Sequence, residues 1–146
     1  MKKVAIIGVG NSIMRDDGVG IHTVQELQKI KLPGNVEVQD ADTNAFAVLE
    51  CMDGKDKAII IDAYRGGREP GTIYKFKFTP DSSNIKLSLH DIDFTDALKS
   101  GRHAYRLPPD IVIIGVEPEV IEFGLELSPR VQKAIPNVIE EVLKEV

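Results

Sequence analysis

Val4-Ala5-Ile6-Ile7-Gly8-Val9-Gly10-Asn11, near the start of the chain, is an unbroken apolar run of strand length that ends in glycine and a polar residue. A strand without polar alternation is covered on both faces, as central strands of parallel sheets are. The pattern recurs at Ala58-Ile59-Ile60-Ile61 and at Ile111-Val112-Ile113-Ile114. Two other segments read differently. Val36 to Gln39 alternates Val36 and Val38 with Glu37 and Gln39, as a half-covered strand does. Thr72 to Phe78 puts Tyr74, Phe76 and Phe78 on one face and Ile73, Lys75 and Lys77 on the other; outward lysines suit an edge strand.

Helical patterns separate these strands. The first runs from about Asp17 to Lys29, with Ile21, Val24, Leu27 and Ile30 on its inner stripe. A short helix from about Asn44 to Met52 follows Thr43 as N-cap, and another ends near Gly101. Ser128-Pro129 opens a last helix whose stripe is Val131, Ile135, Val138, Val142 and Val146, with Pro136 as a point of kinking. Strands alternating with helices predict an α/β fold. Three covered strands and two edges predict the sheet order 2-1-3-5-4. The link from Arg65 to Gly71 has no room for a crossover helix, so the fourth strand should run antiparallel at the far edge. The expectation is a three-layer α/β/α sandwich on a five-stranded mixed sheet, one domain over residues 1–146.

Composition narrows the function. A chain of 146 residues with 42% hydrophobic and 28% charged residues has the mix of a single globular domain. Its net charge of −5 gives no electrostatic case for binding a phosphate backbone, and 5% aromatics without tryptophan leave few stacking platforms. No nucleic-acid partner is expected. No apolar run approaches bilayer length, so no membrane partner is expected either. Met1-Lys2-Lys3 leads straight into the first strand without a signal-peptide pattern, and the single Cys51 allows no internal disulfide. The expected address is the cytoplasm, and the expected state is a monomer.

The order 2-1-3 creates a switch point between the carboxyl ends of the first and third strands, where open α/β sheets bind ligands. Asp16 and Asp17 lie in the loop after the first strand, and Asp62 ends the third. The loop Gly8-Val9-Gly10-Asn11-Ser12-Ile13 matches a dinucleotide fingerprint at two glycines but has Ile13 at the third position. Asp40, after the second strand, could imitate the ribose-binding acid. Asp16 and Asp17, however, stand where a pyrophosphate needs positive potential, which argues against a nucleotide. Either aspartate could equally serve as a helix cap. Asp62 is harder to explain structurally, because a carboxylate ending an isoleucine-rich strand loses its solvation. His90 precedes a helix and can reach over the strand ends; one imidazole with two carboxylates suits a divalent transition metal. His22 reads as a boundary residue, His103 as a loop residue, and Cys51 as a small apolar residue.

Gly8-Val9-Gly10-Asn11, Asp16-Asp17-Gly18-Val19-Gly20, Ile61-Asp62-Ala63, Glu69-Pro70-Gly71-Thr72, Ser88-Leu89-His90 and Ile114-Gly115-Val116-Glu117-Pro118 with Leu127-Ser128 form an ordered series. This series resembles the nickel–iron hydrogenase maturation endopeptidases over essentially the whole chain. The resemblance implies an α/β/α sandwich on a five-stranded mixed sheet. It also implies removal of a C-terminal extension from the hydrogenase large-subunit precursor after nickel insertion. By resemblance Asp17, Asp62 and His90 fall on the family's metal-contacting positions, and Asp16 looks like a helix-entrance residue. Gly8, Gly10, Asn11, Asp40 and Thr43 would line the path of the substrate tail. Two departures stand out. Asp40-Ala41-Asp42-Thr43 replaces a turn that is usually glycine-rich and ends in threonine, and Asp17 stands where some relatives have glutamate.

The mechanism expected on this basis uses nickel carried by the substrate's cysteine cluster rather than a metal resident in the free enzyme. Hydrolysis would follow either from carbonyl polarisation by that metal or from a carboxylate-activated water, with Asp62 as base, so the peptidase is aspartic-type or nickel-assisted. Gly8 and Gly10 would let the backbone approach the peptide closely. A nickel-binding chaperone without peptidase activity and a nucleotide-binding regulatory module are the alternatives.

Overall fold

The three continuously apolar runs form the centre of one sheet. The computed structural model describes residues 1–78, Leu87 and residues 94–146. β1 (Val4–Val9), β3 (Lys57–Ala63) and β5 (Asp110–Val116) pair in parallel, while β2 (Val36–Asp42) and β4 (Ile73–Phe78) take the edges. The order is β2-β1-β3-β5-β4, with β4 antiparallel to β5, as the burial patterns predict. Every residue of β1 is buried, whereas Glu37 and Gln39 of β2 are exposed. β1 and β2 slip register at Gly8/Val9, where Asp40 and Asp42 pair with successive residues of β1; this bulge bends the chain at the carboxyl end of the sheet.

Alternation along the strands divides the core in two. Ile6, Ile59, Ile61, Val112 and Ile114 face α1 (Val19–Leu27) and α4 (Pro129–Leu143), meeting Val24, Leu27, Val131, Ile135, Val138 and Val142. Ala5, Ile7, Ile60, Ile111 and Ile113 face α2 (Ala45–Met52) and α3 (Phe94–Gly101), meeting Val48, Leu49, Met52 and Leu98. Asp62 alternates with Ile61 and Ala63, and so takes the face of α2 and α3. The three layers agree with the expected sandwich.

Several local expectations need correction. A 3-10 turn at Arg15–Gly18 precedes α1, which begins at Val19 rather than Asp17 and ends at Leu27, so Ile30 lies past its end and is exposed. Asn44, not Thr43, caps α2: its Oδ1 accepts the N–H groups of Phe46 at 2.9 Å and Ala47 at 3.2 Å. Ser128 occupies the N-cap position of α4, but its hydroxyl makes no capping bond. α4 continues through Pro136 on its exposed side, where water can satisfy the carbonyl that proline leaves without a donor, and Val146 lies beyond the helix and is exposed. Lys75 of the edge strand is not simply turned to water. It bridges to Glu141 on α4 at 3.4 Å and to Glu145 just past the helix at 2.7 Å, and Glu145 also takes Lys57 at 2.9 Å, pinning the edge to the end of the last helix. Among the described residues, no helix is long and apolar enough to cross a membrane.

Candidate functional site

The corner made by Gly10 and Asn11, at the carboxyl end of β1, gathers the two aspartates. α1 is pressed onto the sheet just there: a Cβ on Gly20 would stand 2.2 Å from the carbonyl oxygen of Ile61 and 2.6 Å from that of Val9. Only glycine lets the helix start sit between the ends of β1 and β3. The preceding turn then lies over Gly10, whose φ is +137° and whose Cβ, if present, would be 2.0 Å from the carbonyl oxygen of Asp17. The same position is 3.5 Å from Oδ1 of Asp62. Asp17 Oδ2 accepts the N–H of Asn11 at 3.0 Å, and Asp62 Oδ1 accepts the N–H of Ala63 at 2.8 Å. Asp17 is half-buried and Asp62 fully buried.

The β2–α2 connection closes the side of this corner. Gly10 donates its N–H to the carbonyl of Asp42 at 2.9 Å, and Asp42 adopts a left-handed backbone at φ +53°. Asp40 Oδ1 accepts the N–H of Asp42 at 2.7 Å, which supports that geometry without glycine. Asn11, Asp40 and Thr43 are thus collected around the carboxyl ends of β1 and β2. Gly8 and Gly10 also need their glycines within the chain itself. Both close approaches are to the chain's own backbone, Gly8 to the carbonyl of Gly20 and Gly10 to that of Asp17. His90, Ser88 and Leu89 lie outside the described residues. Among the described residues, no three His, Cys, Asp or Glu side chains form a metal-holding group.

The loop's donors also bear on the nucleotide alternative. A phosphate would need the N–H groups of the first loop, yet Asn11 donates to Asp17, Gly10 to Asp42 and Ile13 to Asn11 Oδ1 at 3.2 Å. A carboxylate of the chain already occupies the place of the anion.

Asp16 does much more than open a helix. It is 0% exposed and accepts four hydrogen bonds: from the N–H groups of Glu119 and Val120 at 2.9 Å each, and from the N–H and hydroxyl of Ser128 at 2.7 Å each. Burial pushes this carboxyl up, but the donors from Val120, Ser128 and Glu119 outweigh it and hold the group below the usual carboxylate range. The hydroxyl expected to cap α4 is spent here. Asp16 therefore fixes the Asp17 turn to the β5–α4 connection.

Glu117, just past β5, is a third buried carboxylate, and the residue pattern left its role unassigned. It accepts the hydroxyl of Tyr74 at 2.5 Å and the N–H groups of Gly66 at 2.9 Å and Arg68 at 3.1 Å. Burial raises its carboxyl, and these donors bring it below the usual range. It anchors the β3–β4 link, which leaves the sheet after Ala63, one residue past Asp62. Like Asp62, it follows an apolar strand, and that was its available signal. Elsewhere, His22 is half-buried on α1 and His103 is exposed after α3. Cys51 is buried and donates to Gln39 Oε1 at 2.8 Å, and burial pushes its thiol up.

Two carboxylates at one corner of a switch point offer hard oxygen donors to a cation and a base to a water molecule. Comparison with known proteins supplies the family. The family model HycI, described as hydrogenase maturation protease, matches residues 21–145. The chain is similar to the hydrogenase 2 maturation protease of Escherichia coli, 32% identical over 145 residues that cover 97% of this chain and 88% of the relative. Among solved structures it resembles the hydrogenase maturating endopeptidase HybD from E. coli, with TM-score 0.86 and 30% identity over 98% of this chain and 91% of the other. It also resembles a hydrogenase 2 maturation peptidase from a thaumarchaeon, with TM-score 0.76 and 28% identity over 99% and 97% of the two chains.

Proposed function

This chain belongs to the hydrogenase maturation protease family, and from that premise we propose that it removes the C-terminal extension of a nickel–iron hydrogenase large-subunit precursor once nickel has been inserted. The observation that carries this reading is the meeting of Asp17 and Asp62 at the Gly10 corner. Asp17, Asp62 and His90 contact nickel held by the precursor's own cysteines, so that only a loaded precursor is aligned for cleavage. One imidazole and two carboxylates hold nickel modestly, whereas substrate thiolates hold it firmly.

In the reaction Asp62 takes a proton from the attacking water as its oxygen bonds to the scissile carbonyl carbon. The C–N bond then breaks, and the proton passes to the departing amine. Nickel bound by the substrate polarises the same carbonyl. Asn11, Asp40 and Thr43 border the path of the tail. The compartment we assign is the cytoplasm, where a chain with one buried cysteine needs no oxidising environment. We assign a monomer.

The test is incubation with nickel-loaded precursor followed by mass spectrometry of the product. Loss of a C-terminal peptide is expected. A precursor that binds but keeps its full mass would refute the peptidase reading and favour a nickel-site chaperone.

A further inference from the structure

Phe123 is 81% exposed, Leu125 69% and Ile13 45%. They sit on two loops that are stitched together. Met14 bridges in parallel to Gly124; the Gly124 N–H reaches the Ile13 carbonyl at 2.9 Å, and the Arg15 N–H reaches the Gly124 carbonyl at 3.0 Å. Arg15 Nε donates to the Glu126 carbonyl at 3.0 Å, and its guanidinium pairs with Glu122 at 3.3 Å. Asp16 locks the base of the same loop through Glu119, Val120 and Ser128. The apolar side chains are therefore presented on a braced frame rather than exposed by fraying. That frame continues directly into the turn bearing Asp17, four residues after Ile13.

Resting on the peptidase reading, we propose that Ile13, Phe123 and Leu125 dock the folded body of the precursor while its tail enters the Gly10 corner. The partner surface is an apolar pocket with a basic group at its rim: of the exposed acids beside these residues, Glu122 and Glu119 already pair with Arg15 and Arg130, which leaves Glu126 to meet a cation. A second copy of this chain is the poorer occupant. A two-fold contact would bring Glu126 toward its own copy in a protein of net charge −5, with no free cation among the described residues of the patch to meet it.

The experiment compares wild type, the double variant Phe123→Ser/Leu125→Ser, Ile13→Ser and a control, Leu143→Ser, whose site lies at the end of α4. Affinity for nickel-loaded precursor is read by biolayer interferometry, and KM and kcat by cleavage. The double variant should bind at least tenfold more weakly, with the loss in KM rather than kcat and with an unchanged unfolding midpoint. Ile13→Ser should weaken binding severalfold, and Leu143→Ser should match wild type. Affinity of the double variant within twofold of wild type overturns the proposal. So does a concentration-dependent wild-type dimer, abolished in the double variant, with unaltered precursor binding. Precursor bound but uncut by wild type refutes the peptidase and leaves the affinity comparison to decide docking. Precursor neither bound nor cut overturns both.

Discussion

Replacing Asp16 by asparagine changes one atom in a buried cluster, and its consequence can be worked out bond by bond. Asp16 Oδ2 accepts three hydrogen bonds and Oδ1 accepts one. The least costly amide places its oxygen at the Oδ2 site and its NH2 group against the N–H of Ser128. One charge-assisted bond, worth about 1.5–3 kcal/mol, becomes a donor facing a donor, and the remaining bonds weaken to neutral ones. The expected destabilisation at pH 7 is about 3 kcal/mol, which lowers Tm by about 10 °C in a domain of this size. The sign of the pH dependence follows from the depressed carboxyl of the folded state. Its contribution is complete above the unfolded aspartate value, near ~3.9, and disappears as pH falls through the folded value. The gap between wild type and Asp16→Asn should therefore close in strong acid. Asp17→Asn supplies the contrast, since the amide oxygen can still accept the Asn11 N–H. It should lose less stability than Asp16→Asn while precursor processing is lost. Urea unfolding from pH 7 down to pH ~2.5 measures all three proteins. A loss below about 1 kcal/mol for Asp16→Asn, or a gap that persists unchanged in acid, would refute this account of the buried carboxylate.

Asp62→Asn keeps an acceptor for the Ala63 N–H, so the variant should fold but leave the precursor at full mass; normal processing removes Asp62 from the mechanism. Gly10→Ala forces a Cβ to 2.0 Å from the Asp17 carbonyl at a φ of +137°, and should cost more than about 3 kcal/mol in urea unfolding. A small effect would mean that the corner yields easily. Glu117→Gln should lower the raised Tyr74 phenol toward its ordinary value: burial contributes most to that rise, but the hydrogen bond and charge of Glu117 add to it. Spectrophotometric titration of the tyrosines reads this, and an unmoved high-pH tyrosine would contradict it. The same variant should speed amide exchange at Gly66 and Arg68, which lose their charged acceptor.

The sheet order was legible because burial leaves a local trace: unbroken apolar runs in β1, β3 and β5, alternation in β2 and β4. The short Arg65 to Gly71 link carried the direction of β4. The aspartates at the strand ends were legible for the same reason, since Asp62 interrupts an apolar pattern. The role of Asp16 left no such trace. Its partners lie more than a hundred residues away in sequence, and nothing beside it separates an anchor from a cap. Ser128 shows the reverse case. A local rule correctly placed the start of α4, but a stronger, distant acceptor took the hydroxyl. Thr43 and Asn44 were nearly equivalent caps by type, and the left-handed residue at Asp42 shifted the helix start by one. Glu117, after the last strand, appeared in the sequence only as part of a motif, because its partners Gly66, Arg68 and Tyr74 lie more than forty residues away.

The position of β5 has a consequence for how the chain is made. β3 and β4 follow one another in sequence and run in opposite directions, the arrangement of a plain hairpin, yet β5 lies between them. During synthesis β3 and β4 emerge first, and for the time needed to translate about forty residues nothing occupies the central slot. At roughly 5–20 residues per second that interval lasts several seconds. A nascent chain that zipped β3 directly onto β4 would have to unzip before residues 110–116 could enter. The anchor that closes the link between them, Glu117, arrives immediately behind the strand that fills the gap. The ribosome thus delivers wedge and latch together.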